Sequence, residues 1–129
     1  LSGNALKAVY HACDVFCLPS RTEQSGISEG FPTVLAEAMA FGKPVITTRH
    51  VEIPRIVREI LVDENDVDGL AEAIRRVHAS PELRRELGEL GRHTAEQYFS
   101  PENVRRTANV LGGLVRTPVK PGVEIRKPV

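Results

Sequence analysis

Glu29-Gly30-Phe31-Pro32-Thr33-Val34-Leu35-Ala36-Glu37-Ala38-Met39-Ala40-Phe41-Gly42-Lys43-Pro44-Val45-Ile46-Thr47-Thr48 reads as a loop, a helix and a strand in direct succession. The helix should start at Pro32-Thr33, because a proline N–H would have had no partner in a first helical turn. Val34, Leu35, Ala38 and Met39 recur at helical spacing and form an apolar stripe. Gly42 stands where a left-handed residue closes a helix. Lys43-Pro44 restarts the chain, and Val45 to Thr48 is a β-branched run of strand type.

Upstream, Asn4 to His11 predicts a short helix with Leu6, Val9 and Tyr10 on one face. Asp14-Val15-Phe16-Cys17-Leu18 predicts a buried strand that stops at Pro19-Ser20. Arg21 to Gly30 is too polar and irregular for an element. Downstream, a short helical segment at Ile53 to Val57 precedes a third strand at Ile60-Leu61-Val62. Asn65 or Asp66 caps a helix to about His78, with Leu70, Ala71, Ile74 and Val77 inward. Ser80-Pro81 opens another helix whose Arg84, Arg85, Glu86 and Glu89 face solvent, and Ser100-Pro101 opens a last one.

Short apolar strands alternating with helices imply parallel βαβ units. The expected fold is α/β: a partial Rossmann-like layer sandwich with a small parallel sheet of about three strands and several helices. Residues 1–116 are read as one partial domain, and the Pro-rich stretch 117–129 as an extended or disordered tail. Ligands of such sheets bind at the carboxyl ends of the strands, beside helix N-termini. That places a site after Leu18 and at the start of the Pro32 helix.

Composition narrows the function. Seventeen basic and seventeen acidic residues leave no net charge among 129 residues. Neutrality removes the basic footprint of a nucleic-acid binder, and the absence of Trp removes an aromatic stacking platform. No apolar run approaches the ~18 residues of a membrane span. The chain opens on Leu1 and is expected to be a piece of something longer. Cys13 and Cys17 are expected to be reduced, buried thiols, because their spacing fits no zinc pattern. His11, His50, His78 and His93 are scattered and are read as surface or internally satisfied side chains, not ligands. Neither a metal nor a cofactor is expected.

The candidate chemistry sits on the quoted stretch. Glu29 lies before the helix, and Glu37 lies about one and a half turns inside it. The free N–H groups between them carry about half a positive charge, which suits a phosphate. Each carboxylate can accept from hydroxyls, and neighbouring diol oxygens can share one carboxylate. Phosphate between two sets of sugar hydroxyls describes a nucleotide-sugar. Two acids at this spacing also occur on solvated helix faces, so spacing alone does not decide the matter. Gly30 would let backbone approach a ligand closely.

Asp14 to Ser20, Glu29-Gly30-Phe31-Pro32, Glu37-Ala38-Met39-Ala40 and Gly42 to Ile46, in that order, resemble the C-terminal half of a family-four glycosyltransferase of the GT-B fold. The resemblance runs from about residue 6 to 103, through Leu61-Val62, Asn65-Asp66 and Leu70 to Ile74. The polar insertion before Glu29 resembles members that build bacterial cell-surface polysaccharides. The resemblance implies that Glu29 accepts from donor-sugar hydroxyls and that Glu37 holds the ribose diol. It implies that backbone N–H groups among Phe31, Pro32, Thr33, Val34 and Leu35, a set in which proline supplies none, meet the sugar and diphosphate. Both acids would then bind and orient rather than exchange protons, and the sugar would move with retention, without a metal.

The resemblance has gaps. The acceptor-binding first domain, the first strands of the second and their Arg/Lys pair have no counterpart here. Val51-Glu52-Ile53-Pro54-Arg55 stands where the family commonly reads Gly-Gly, a variable residue, Pro and Glu. A Gly-containing turn before Ile60 is missing. The resemblance therefore implies a donor-binding portion, inactive alone, whose partners are a UDP- or GDP-sugar and, through the missing domain, a glycan or lipid-linked acceptor. It implies a cytoplasmic parent, peripheral at the inner membrane face if the acceptor is a lipid. Two other readings stand beside it: a non-catalytic nucleotide-sugar-binding or interaction module, and a different α/β enzyme such as a phosphorylase or epimerase. The strand Val15 to Leu18 is expected to leave a bare edge that invites self-association.

Overall fold

The computed structural model describes residues 3–22, 30–103 and 105. The chain divides into two compact units, Leu1–Phe99 and Ser100–Val129. The elements of the first unit are α1 (Gly3–Ala12), β1 (Phe16–Leu18), α2 (Thr33–Ala40), β2 (Val45–Thr48), α3 (Ile53–Ile56), β3 (Ile60–Val62), α4 (Val67–Ala79) and α5 (Pro81–Phe99). The three strands pair in parallel in the order β1-β2-β3, with Cys17 opposite Ile46 and Thr47 opposite Leu61. This is the expected sandwich. β1 starts at Phe16 rather than Asp14.

The central strand is buried at all four of its positions. Its side chains alternate between two cores, as the period of two in a strand requires. Val45 packs with Tyr10, Leu35, Met39, Ile53 and Ala95 on one face of the sheet. Ile46 packs with Val62, Ala73 and Val77 on the other. Thr47 and Thr48 are buried but satisfied, because their hydroxyls donate to the carbonyls of Leu18 and Ser20. These two bonds tie the end of β2 to the chain leaving β1.

α2 ends as its sequence predicts. Gly42 adopts φ 66°, its N–H donates to the Met39 carbonyl at 2.8 Å, and the Lys43 N–H donates to Ala38 at 3.0 Å. This pair of bonds is the Schellman arrangement that satisfies the last carbonyls of a helix. α4 is capped by Asp66, whose carboxylate accepts from the Gly69 N–H at 2.8 Å.

Three expectations are corrected. Cys13 is half-buried and Cys17 exposed rather than buried, and Cys17 is open because β1 is an edge strand. Ile74 is 46% exposed for the same reason, and the Cys17 and Ile74 side chains line a hollow of about 410 Å³ with Asp14, Val15, His78 and Arg84. Arg84 does not simply face solvent. Its guanidinium donates to the carbonyls of Val77 and His78 at 2.8 and 2.7 Å, closing the C-terminus of α4.

In the second unit Pro101–Asn103 is helical, and the Ser100 hydroxyl accepts from the Asn103 N–H at 3.3 Å. The expected boundary at 116/117 and the expected tail lie outside the described residues.

Candidate functional site

α2 is laid down by its buried stripe. Leu35, Ala38 and Met39 have no solvent exposure, and Thr33, Val34 and Glu37 point outward as a consequence. The helix begins after Pro32, whose extended backbone (φ −66°, ψ 121°) provides no side-chain cap. The Leu35 N–H turns back to the Pro32 carbonyl at 3.0 Å. The first turn is thus left without a side-chain acceptor, and no acidic residue sits within it.

The residues expected at the site fall into distinct settings. Gly30 is exposed, and a β-carbon there would meet nothing within 4 Å. Phe31 is half-buried, and its ring stacks on Phe99 at 5.2 Å and packs against the core. Pro32 is half-buried, and Thr33 and Val34 are exposed around the helix start. Leu35 is fully buried, and its N–H is already engaged by the Pro32 carbonyl. Glu29 lies outside the described residues.

Glu37 is exposed, yet its carboxylate is anchored. The Tyr10 hydroxyl donates to Glu37 Oε2 at 2.8 Å. Burial first, and the Glu37 bond second, push the Tyr10 hydroxyl from 10.0 up to about 12. Tyr10 therefore remains a donor across the neutral range. The sequence marked Tyr10 only as part of an apolar face. The signal available was its hydroxyl, since a buried tyrosine needs a partner.

A second cluster joins the carboxyl ends of all three strands. Glu64, just past β3, accepts from the Thr22 N–H at 2.7 Å and from the Thr22 hydroxyl at 3.1 Å. His50, just past β2, places Nδ1 2.7 Å from Glu64 Oε1. A carboxylate only accepts, so Nδ1 donates. The Thr22 N–H bond, followed by His50, holds the Glu64 carboxyl below its ordinary 4.5. His50 is 8% exposed, which makes it the internally satisfied histidine expected of it. Nearby, a hollow of about 220 Å³ lies between the strand ends and α4, lined by Ser20, Arg21, Thr48, Asp63 and Asp66 among others. Glu37 and the Gly30–Leu35 stretch line neither this hollow nor the one beside β1.

Residues 1–94 match the family described as Glycosyl transferases group 1. The chain belongs to that family. Among its relatives, WcaL of Escherichia coli K12, assigned to colanic acid biosynthesis as a glycosyltransferase, is 45% identical over 73 residues, covering 54% of this chain and 18% of its own. The MMP α-(1→4)-mannosyltransferase of Mycolicibacterium hassiacum is 35% identical over 109 residues, 81% of this chain and 25% of that one. The sucrose-phosphate synthase of Thermosynechococcus elongatus superposes with a TM-score of 0.73 at 31% identity over 86% of this chain and 27% of its own. The glycosyltransferase sandwich seen here is therefore of the GT-B type. This group 1 chain spans about a fifth to a quarter of the length of those relatives.

Val51 adopts φ 41°, a left-handed conformation rare for a β-branched residue. Among the described residues no helix is long and apolar enough to cross a membrane.

Proposed function

We propose that this chain is the donor-binding portion, from the C-terminal half, of a family-four glycosyltransferase that moves a sugar from a UDP- or GDP-sugar with retention of configuration. The observation that carries the reading is the exposed Glu37 carboxylate, anchored at 2.8 Å by Tyr10 and set on a helix whose first turn has no side-chain cap. Glu37 would hold the ribose diol. The N–H groups at the start of α2 would meet the diphosphate and stabilise its charge as the bond to the sugar breaks. Glu29 would accept from donor-sugar hydroxyls and orient the sugar. Neither acid would act as a general base, and no metal would be needed.

The acceptor would be a glycan or a lipid-linked sugar held by an opposing domain, since transfer requires both substrates to be oriented together. A role in cell-surface polysaccharide synthesis is supported by the likeness to WcaL and by the polar insertion before Glu29. The parent would work in the cytoplasm, peripheral to the inner membrane face if the acceptor is lipid-linked. Apart from that opposing domain the chain would be inactive, and the edge of β1 would be open to pairing with a second copy.

Titration of the full-length protein carrying this sequence with UDP- and GDP-sugars tests the reading. Glu37→Ala should weaken binding by about 1.5–3 kcal/mol, roughly ten- to over a hundredfold. Unchanged affinity would remove Glu37 from the site. Glu29→Ala should reduce sugar transfer more than it reduces binding of free UDP or GDP.

A further inference from the structure

We propose that Tyr10 is a positioning residue for donor binding: its hydroxyl engages one oxygen of Glu37 and leaves the other to accept from the ligand's diol. This rests on Glu37 being the ribose-binding acid. Tyr10 is 5% exposed, and its ring is stacked on Phe41 at 5.1 Å and tilted against Phe16 at 5.9 Å. Two torsions fixed by packing leave the hydroxyl one location. There it donates to Glu37 Oε2 at 2.8 Å, while the alternative acceptor, the Val34 carbonyl, is at 3.5 Å. That longer contact is at the limit of a hydrogen bond, so the proton belongs to Glu37.

Glu37 needs such a clamp. It is an exposed glutamate on a helix surface, and an exposed glutamate has three free torsions to order when a ligand binds. A carboxylate held by one oxygen has its plane restricted before the ligand arrives, and the free oxygen keeps its lone pairs. α1 thereby contributes to donor recognition without touching the donor.

The test compares UDP and GDP with their 2′,3′-dideoxy analogues on the full-length protein, wild type against Tyr10→Phe. Phenylalanine keeps both ring contacts, and the released Glu37 is exposed enough to be solvated, so the variant retains the fold. Wild type should prefer the diol-bearing nucleotides by about tenfold or more. Tyr10→Phe should shrink that preference by about fivefold while leaving affinity for the dideoxy analogues unchanged. In turnover the variant should raise KM for the donor more than it lowers kcat. A purely structural tyrosine would weaken both nucleotide forms alike. Full diol preference in Tyr10→Phe would overturn the positioning role and leave Glu37 as the ribose acid. A wild type indifferent to the diol would overturn both.

Discussion

Gly88 of α5 packs so closely on the carbonyl of Gly42 that a β-carbon at Gly88 would overlap that oxygen. The contact seats α5 on the closing turn of α2, the turn made possible by the left-handed backbone of Gly42. Gly88→Ala should therefore destabilise the chain by about 1–3 kcal/mol, even though alanine favours a helix interior by up to about 1 kcal/mol. Gly91→Ala should be milder, because its β-carbon would meet the tip of the Glu59 side chain at 2.6 Å rather than backbone. Urea midpoints of the two variants measure the order, and a Gly88→Ala at least as stable as wild type would contradict this packing.

Glu59 is the second case where α5 matters. Its Oε2 accepts from the Arg58 N–H at 2.9 Å, while Oε1 is buried without a partner among the described residues. Burial raises its carboxyl above the ordinary 4.5. A group raised in the folded state favours folding most below its unfolded value, and that contribution is lost as pH rises through the folded value. Glu59→Gln should consequently be more stable than wild type by about 1 kcal/mol at pH 7–8, with the gap closing toward pH 4. Parallel melts across that range check the sign, and a gap independent of pH would count against it.

The Thr22–His50–Glu64 cluster should respond in the opposite sense. Glu64 is depressed below 4.5 in the folded chain. Its contribution is present above 4.5 and is lost as pH falls through the folded value. The Thr22 N–H donates to this carboxylate, so its hydrogen-exchange protection factor should drop on acidification, before global unfolding. Glu64→Gln should show the lowered protection already at neutral pH. Protection that does not fall on acidification ahead of global unfolding would deny the carboxylate this role.

Val51 carries backbone strain at φ 41° with a side chain 47% exposed. Left-handed backbone at such a residue costs of order 1–3 kcal/mol. Val51→Asn, which tolerates that region and avoids glycine's entropy, should stabilise the chain by about 1 kcal/mol. Val51→Gly should gain less, because glycine makes the unfolded chain more flexible. Thermal midpoints rank the three, and a loss of stability in Val51→Asn would show that the turn is not strained.

Much of the fold was legible because local rules were unopposed. β2 and β3 fell at their predicted residues, since β-branched runs bounded by Pro44 and by the Asn65-Asp66 cap admit little else. The close of α2 at Gly42 followed from one glycine. Where the reading missed, a side chain's fate depended on what lay beside the sheet. Ile74 has helical periodicity toward the sheet, but its neighbour across the gap is the edge strand, so it stays 46% exposed. Arg84 looked solvated and instead closes α4, because α5 folds back beside it.

Hydrophobic periodicity within single elements was enough to read the parallel sandwich, and the resemblance carried by the ordered motifs pointed to the glycosyltransferase family and drew attention to Glu37. Only the tertiary structure decided what holds Glu37. Tyr10 lies 27 residues earlier, on a helix whose place is set by ring stacking, and no local pattern encodes a hydrogen bond across that separation. The same holds for Thr22, His50 and Glu64, which meet only because three parallel strands deliver their ends to one side of the sheet.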